Sequence, residues 1–239
     1  MTAVPVEQIA RRRDEILASL ERAAAKAGRR PEEIAVMAVT KGHGPETIAN
    51  AARAGFKLFG ENRVQEGSAK IAALGSEFPG LTWRLIGPLQ SNKAKSALQW
   101  FSAVESLDRE RLAVRLDMLL AEAGEGRVLP VWLEINVGNE ESKSGVPAGQ
   151  APRLCEAALS CPHLDVRGLM AVPPYDPDPE KARPFFRRLV EVRDRLAAAF
   201  GRPFPELSMG MSHDFAVAVE EGSTEVRIGT ALFGQRAAA

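Results

Sequence analysis

Short apolar runs and amphipathic stretches alternate along this chain about eight times after one leading helix. That alternation restricts the fold more than any other feature. Repeated strand–helix units imply a parallel sheet. About eight of them in 239 residues imply a closed (β/α)8 barrel, the TIM barrel, as a single domain over residues 1–239 with an extra N-terminal helix. An open doubly wound sheet is the alternative. It would announce itself by a Gly-x-Gly-x-x-Gly turn after the first strand, whereas residues Lys41 to Glu46 read Lys-Gly-His-Gly-Pro-Glu.

The leading helix runs from about Val6 to Lys26, with Ile9, Ile16, Leu17, Leu20 and Ala24 on one stripe. Strands are expected at Ile34 to Lys41, Lys57 to Asn62, Leu81 to Gly87 and Trp100 to Glu105. Four more follow at Val128 to Val137, Val166 to Val172, Glu206 to Ser212 and Glu225 to Thr230. Pro45 is placed to open a helix and Gly55 to close it. Ser91 and Asn92 are N-cap candidates for the helix carrying Lys93 and Lys95. Other helices are expected at Arg63 to Leu74, Asp108 to Ala123, Ala148 to Leu159, Lys181 to Phe200 and Asp214 to Glu221. Phe185, Phe186, Leu189, Val192 and Leu196 give the longest of these its core face.

Basic and acidic residues both number 31, so the formal net charge is zero. A general polyanion binder needs a basic field, so nucleic acid is not an expected partner. No apolar run reaches the length that crosses a bilayer, so no membrane partner is expected. The segment from Met1 to Arg13 turns charged before a secretory signal core could form. Cys155 and Cys161 are too few for a disulfide scaffold, and with His163 they lack zinc spacing. They read as packing residues. A cytoplasmic monomer is the expectation.

In a barrel the strand C-termini converge on one mouth, where ligands bind. Lys41 ends the first expected strand, an apolar, β-branched run buried on both faces. An ammonium held against apolar walls has its pKa lowered. A neutral amine can attack a carbonyl and form a Schiff base. The alternative is a lysine whose tip snorkels to water. Asn62, Gly87, Glu134 to Asn136 and Met170 should lie near the same mouth. Ser208, Gly210, Met211 and Ser212 come just before a helix start, and Arg227, Gly229 and Thr230 supply a cation, a close-approach glycine and a hydroxyl. Loops in these two places commonly build a phosphate site. The competing reading makes the serines turn or cap residues and Arg227 a salt-bridge partner of Glu225.

An amine and a phosphate cradle in one mouth suggest pyridoxal 5'-phosphate (PLP), its aldehyde at Lys41 and its phosphate on the far strands, across the mouth. Arg227 would then face the pyridine nitrogen and keep it unprotonated, which weakens the ring as an electron sink. His43 reads as a loop residue and His213 as a helix start. Lys143 reads as a loop cation, at the mouth or solvated.

Several stretches carry a family resemblance. They are Ala38 to Lys41, Phe59 to Glu66, Leu85 to Lys93, Ser142 to Gly145, Gly168 to Met170, Leu207 to Ser212 with Asp214, and Glu225 to Thr230 through Gly234. In these the chain resembles the pyridoxal phosphate homeostasis proteins, which share the barrel of alanine racemase without its second domain. The resemblance implies PLP held as a Schiff base on Lys41, with Asn62 in the site. It implies phosphate contacts from Ser208 to Ser212 with Gly229 and Thr230, and Arg227 at the ring nitrogen. It also implies a role in PLP supply to apo-enzymes that require it, with effects on amino-acid and keto-acid balance and no established turnover. Two departures stand out. The family usually carries a histidine where this chain has Arg84, and Gly42-His43-Gly44 replaces a more usual Thr-Lys-Pro type segment. The alternatives are an amino-acid racemase, which needs a second base that only Tyr175 among tyrosines could supply, and a Schiff-base aldolase.

Overall fold

The computed structural model describes residues 3–124, 126–140 and 142–235. Its strands are β1 (Ala35–Val39), β2 (Leu58–Glu61), β3 (Thr82–Leu85), β4 (Ala103–Leu107), β5 (Leu129–Asn136), β6 (Val146–Pro147), β7 (Leu164–Met170), β8 (Glu206–Met211) and β9 (Glu225–Ile228). All pair in parallel, in the order β4-β3-β2-β1-β9-β8-β7-β5, and β4 pairs back onto β5. The ring is therefore a closed, eight-stranded TIM barrel, and β6 hangs on the end of β5 outside it.

The helices are α1 (Val6–Lys26), α2 (Pro45–Arg53), α3 (Val64–Leu74), α4 (Ala94–Trp100), α5 (Glu110–Ala123), α6 (Ala151–Leu159), α7 (Arg183–Phe200), α8 (Phe215–Glu220) and α9 (Thr230–Phe233). Pro45 opens α2 as its first residue, where its missing N–H costs nothing. Gly124 and Gly201 end α5 and α7 in the left-handed conformation.

Strand residues alternate between two cores. Phe59, Leu85, Val104, Leu133, Leu207 and Ile228 join the shell between barrel and helices. Ala103, Trp132 and Met170 form a separate cluster in the barrel lumen. Each large side chain buried in the shell contributes about 1.5–3 kcal/mol. Phe186, Leu189, Val192 and Leu196 bury the inner face of α7, while Phe185 is only half-buried. Leu17, expected on the buried stripe of α1, is 38% exposed.

Three local expectations change. Trp100, expected to start the fourth strand, is the last residue of α4, and β4 runs from Ala103 to Leu107. Phe101 makes the turn between them and is buried, so the apolar run there spans a helix end and a strand start. Ser91 and Asn92 lie within a short 3-10 turn that precedes α4, and neither side chain caps it. Gly229 and Thr230 are not strand residues; Gly229 precedes α9 and Thr230 opens it.

Candidate functional site

Lumen-facing residues stack in layers. On β1, Met37 and Val39 stay out of the shell core that takes Ala38. Thr40 then turns back into the shell, and Lys41, half-buried, follows on the mouth side. Behind this turn sits a buried polar knot. Lys70 of α3 donates from Nζ to the Thr40 carbonyl at 2.7 Å and to Oε1 of both Glu61 and Glu66 at 2.6 Å. The Gly42 N–H donates to Glu66 Oε1 at 2.6 Å, and Thr40 Oγ1 donates to Glu61 Oε1. The residues on both sides of Lys41 are thus clamped to one ammonium and two carboxylates. Burial pushes the Glu61 carboxyl above its usual range against the pull of Lys70 and Thr40. Burial acts the same way on Glu66, but Lys70 and the Gly42 N–H outweigh it and the net shift is downward.

A second charged layer crosses the lumen. Arg84 of β3 donates to Glu105 Oε1 at 3.0 Å and to Glu225 Oε2 at 2.7 Å, with its guanidinium 4.5 Å from the Trp132 ring centre. Burial works against the Arg84 charge, but Glu225 and Glu105 outweigh it. Burial, and then the neighbouring charge of Glu105, push the Glu225 carboxyl well above its usual range. Ser208 is fully buried, its hydroxyl within hydrogen-bonding distance of Glu105 Oε2 at 2.7 Å and Glu225 Oε1 at 3.1 Å. Arg227 sits on this layer. It donates to the Ser208 carbonyl and hydroxyl at 2.7 Å and to the Ala171 carbonyl at 2.8 Å. The Arg227–Glu225 bridge of the competing reading does not form; Glu225 pairs with Arg84 instead. Ser208 therefore lies beneath the rim, where it holds Arg227.

The rim after β8 and β9 is built from backbone. Gly210 has φ +95°, and a Cβ there would stand 2.5 Å from Ala218 Cβ, so the chain presses on α8. The Met211 N–H donates to Asp214 Oδ1 at 2.6 Å, which fixes the loop before α8. Ser212 Oγ accepts from the Gly229 N–H at 3.2 Å and the Ala231 N–H at 3.1 Å, tying the two loops together. Thr230 is exposed beside them.

Closure makes β9 the neighbour of β1, with Met37 opposite Arg227 and Ala38 opposite Ile228. The expected placement of amine and cradle across the mouth from each other is therefore corrected. They lie side by side, because the last barrel strand must pair with the first. Asn62 follows β2, on the other flank of β1, and its Oδ1 is buried without a partner. A Cβ on Gly87 would lie 2.3 Å from the Asn62 carbonyl, so these two rim loops touch backbone to backbone.

Sequence reasoning named Glu134 only as a mouth residue and gave no role to Lys70, Glu61 or Glu66. The i, i+4 spacing of Glu66 and Lys70 was legible, but their burial behind Lys41 was not. Asn136 staples the next loop, donating to the Glu140 carbonyl at 2.8 Å. Lys143 is a partly exposed loop cation that donates to the Pro173 carbonyl and pairs with Glu140 at 2.7 Å. His43 is a loop residue beside the Phe233 ring. His213 lies just ahead of α8, against the ring of Tyr175, which is 76% exposed. Cys155 and Cys161 are buried free thiols, and burial pushes Cys155 to about 12.

A closed barrel with an amine at the end of β1 and a backbone cradle after β8 and β9 defines a class, the barrels that seat a phosphorylated ligand in the mouth. The chain belongs to the family of the alanine racemase N-terminal domain, whose model matches residues 12–237. A pyridoxal phosphate homeostasis protein of Aquifex aeolicus is 43% identical over 222 residues, 92% of this chain and 95% of that one. The Escherichia coli protein of the same name is 43% identical over 238 residues, 95% of each. PipY of Synechococcus elongatus, solved with PLP bound, superposes with a TM-score of 0.78 at 35% identity, over 90% of this chain and 100% of that one.

Proposed function

We propose that this chain binds PLP in the barrel mouth, covalently through Lys41, and serves to hold and supply the cofactor. Family membership supports this reading, as does the name carried by the relatives. The observation that carries it is the side-by-side setting of Lys41 and the β8–β9 cradle. In PLP the aldehyde and the phosphate arm branch from adjacent ring carbons, so the two anchors must also be adjacent.

The residues present fit the ligand. Gly210, Met211, Ser212, Gly229 and Thr230 line the phosphate side. Ser212 accepts two backbone N–H bonds, so its own O–H proton remains to be donated to an anion. Asn62 brings a buried, unpartnered amide oxygen to the other flank of Lys41. Arg227 carries a permanent positive charge towards the ring nitrogen, held in place by Ser208. When bound, PLP supplies an electrophilic aldehyde carbon; the Lys41 amine condenses with it, and water leaves. The protein's part is to hold that amine on a clamped turn, neutralise the phosphate and keep the ring nitrogen unprotonated. Recipients of the cofactor would be apo-enzymes that require PLP.

Wild-type protein incubated with PLP and reduced with borohydride should carry one phosphopyridoxyl group on the peptide containing Lys41. Lys41→Ala should carry none there. Mass spectrometry of the digests decides it, and a modified peptide elsewhere overturns the assignment. A racemase would need a second base in the mouth, and Tyr175 stands out on an exposed loop. Incubation with L-alanine and chiral analysis should show no D-alanine.

A further inference from the structure

The extra helix α1 has no part in the reading above, yet it lies against α8 and α9, the two short helices that follow β8 and β9. Ile9 of α1 is fully buried in the shell core, which also holds Leu232 and Phe233 of α9. α9 is a single turn of four residues, and a helix so short does not hold its shape unaided. Its last carbonyls also lack partners within the helix. Arg12 of α1 answers both needs. Its guanidinium donates to the Leu232 carbonyl at 3.0 Å. It also lies over the backbone at Gly234, where a Cβ would stand 3.6 Å from Nη1.

A chain of hydrogen bonds leads from this contact to the phosphate side of the mouth. The Leu232 N–H donates to the Gly229 carbonyl at 3.0 Å, and the Phe233 N–H donates to the same oxygen at 2.9 Å. The Gly229 N–H donates in turn to Ser212 Oγ at 3.2 Å, as does the Ala231 N–H at 3.1 Å. Arg12, α9, Gly229 and Ser212 thus form one connected unit. We propose, resting on the PLP reading, that Arg12 is a positioning residue for the phosphate: it locks the single turn of α9 and so sets where the Ser212 hydroxyl stands toward the anion, with Gly229 and Thr230 beside it.

Arg29, in the segment after α1, supplies the contrast. It donates to the Ser223 carbonyl at 2.7 Å and the Val219 carbonyl at 3.2 Å, clamping the turn between α8 and β9. That turn leads into the start of β9, the end of the strand away from the mouth. Both arginines stitch the N-terminal segment to the barrel. Arg12 grips an element bonded to Ser212, and Arg29 grips one at the opposite end of the barrel. Losing Arg29 should cost stability alone, whereas losing Arg12 should also cost recognition of phosphate.

5'-Deoxypyridoxal carries the aldehyde of PLP without the phosphate. Dissociation constants of both ligands, from absorbance titrations of wild type, Arg12→Ala, Arg12→Lys and Arg29→Ala, test the proposal. Arg12→Ala should weaken PLP by about tenfold, as loss of a charged hydrogen bond does, and leave 5'-deoxypyridoxal within about twofold. Arg12→Lys, which keeps a charged donor, should recover part of the loss, and Arg29→Ala should keep the wild-type ratio of the two ligands. Hydrogen exchange on the peptide holding Gly229 to Gly234 should quicken in unliganded Arg12→Ala. Equal weakening of both ligands, an unchanged PLP constant, unquickened exchange, or the same change of ratio in Arg29→Ala overturns the proposal. Should Arg12→Ala fail to fold, Arg12→Gln, with its shorter side chain, replaces it under the same criteria. A wild type that binds both ligands equally sinks the phosphate cradle itself, and one that binds neither sinks the PLP reading, this inference falling with each. A phosphate preference that Arg12→Ala retains removes this inference alone.

Discussion

Lys70→Met should lower the unfolding free energy by about 3–5 kcal/mol at neutral pH, because it leaves Glu61 buried without its counter-charge. Lys70 is 5% exposed and Glu61 fully buried, so water cannot screen the loss. The damage should depend on pH in a definite sense. Burial already raises the Glu61 carboxyl in the native protein, with Lys70 holding it back. Without Lys70 it rises further, so the folded variant binds a proton that the unfolded chain has released. Stability of the variant relative to wild type should therefore fall as pH increases and recover in acid. Urea titrations at several pH values measure this; a deficit independent of pH would show that Glu61 is not the group left stranded. The same variant frees the Thr40 carbonyl and Glu66, and with them the turn that presents Lys41. Labelling of Lys41 by PLP should fall in the folded protein, with partial recovery in Lys70→Arg.

Gly168→Ala should be nearly as damaging without touching the mouth. A Cβ at Gly168 would stand 1.7 Å from the Glu206 carbonyl oxygen, where β7 and β8 pair directly. The obstacle is backbone on the neighbouring strand, so no rotamer change relieves it and the strands must part. Overpacking of this kind costs about 3 kcal/mol. Thermal or urea unfolding of the variant measures it, and a loss well under 1 kcal/mol would mean that the β7–β8 pairing yields easily. Since β8 carries Ser208 to Met211, parting the strands should also loosen the grip on Arg227.

The two variants show where sequence reading reached and where it stopped. The periodic parts were legible. Strand–helix alternation specified the barrel, helical stripes specified α1 and α7, and Pro45 marked a helix start. The rim residues Lys41, Asn62, Ser212, Arg227 and Thr230 could be named because strand ends in a barrel meet at one mouth. Local spacing failed where one apolar run served two elements, as at Trp100 and Phe101.

The sequence by itself determined the number and order of the strand–helix units and which residue types arrive at the strand ends, because both follow from short-range periodicity and turn chemistry. Only the tertiary structure decided who stands beside whom. Closure brought β9 against β1, making amine and cradle neighbours. It buried Lys70 with Glu61 behind the Lys41 turn, gave Arg84 to Glu225, and left Glu134 Oε2 without a hydrogen-bond partner across the lumen. These are contacts between residues far apart in the chain, fixed by ring closure and by the cost of burying charge, and no local pattern encodes them.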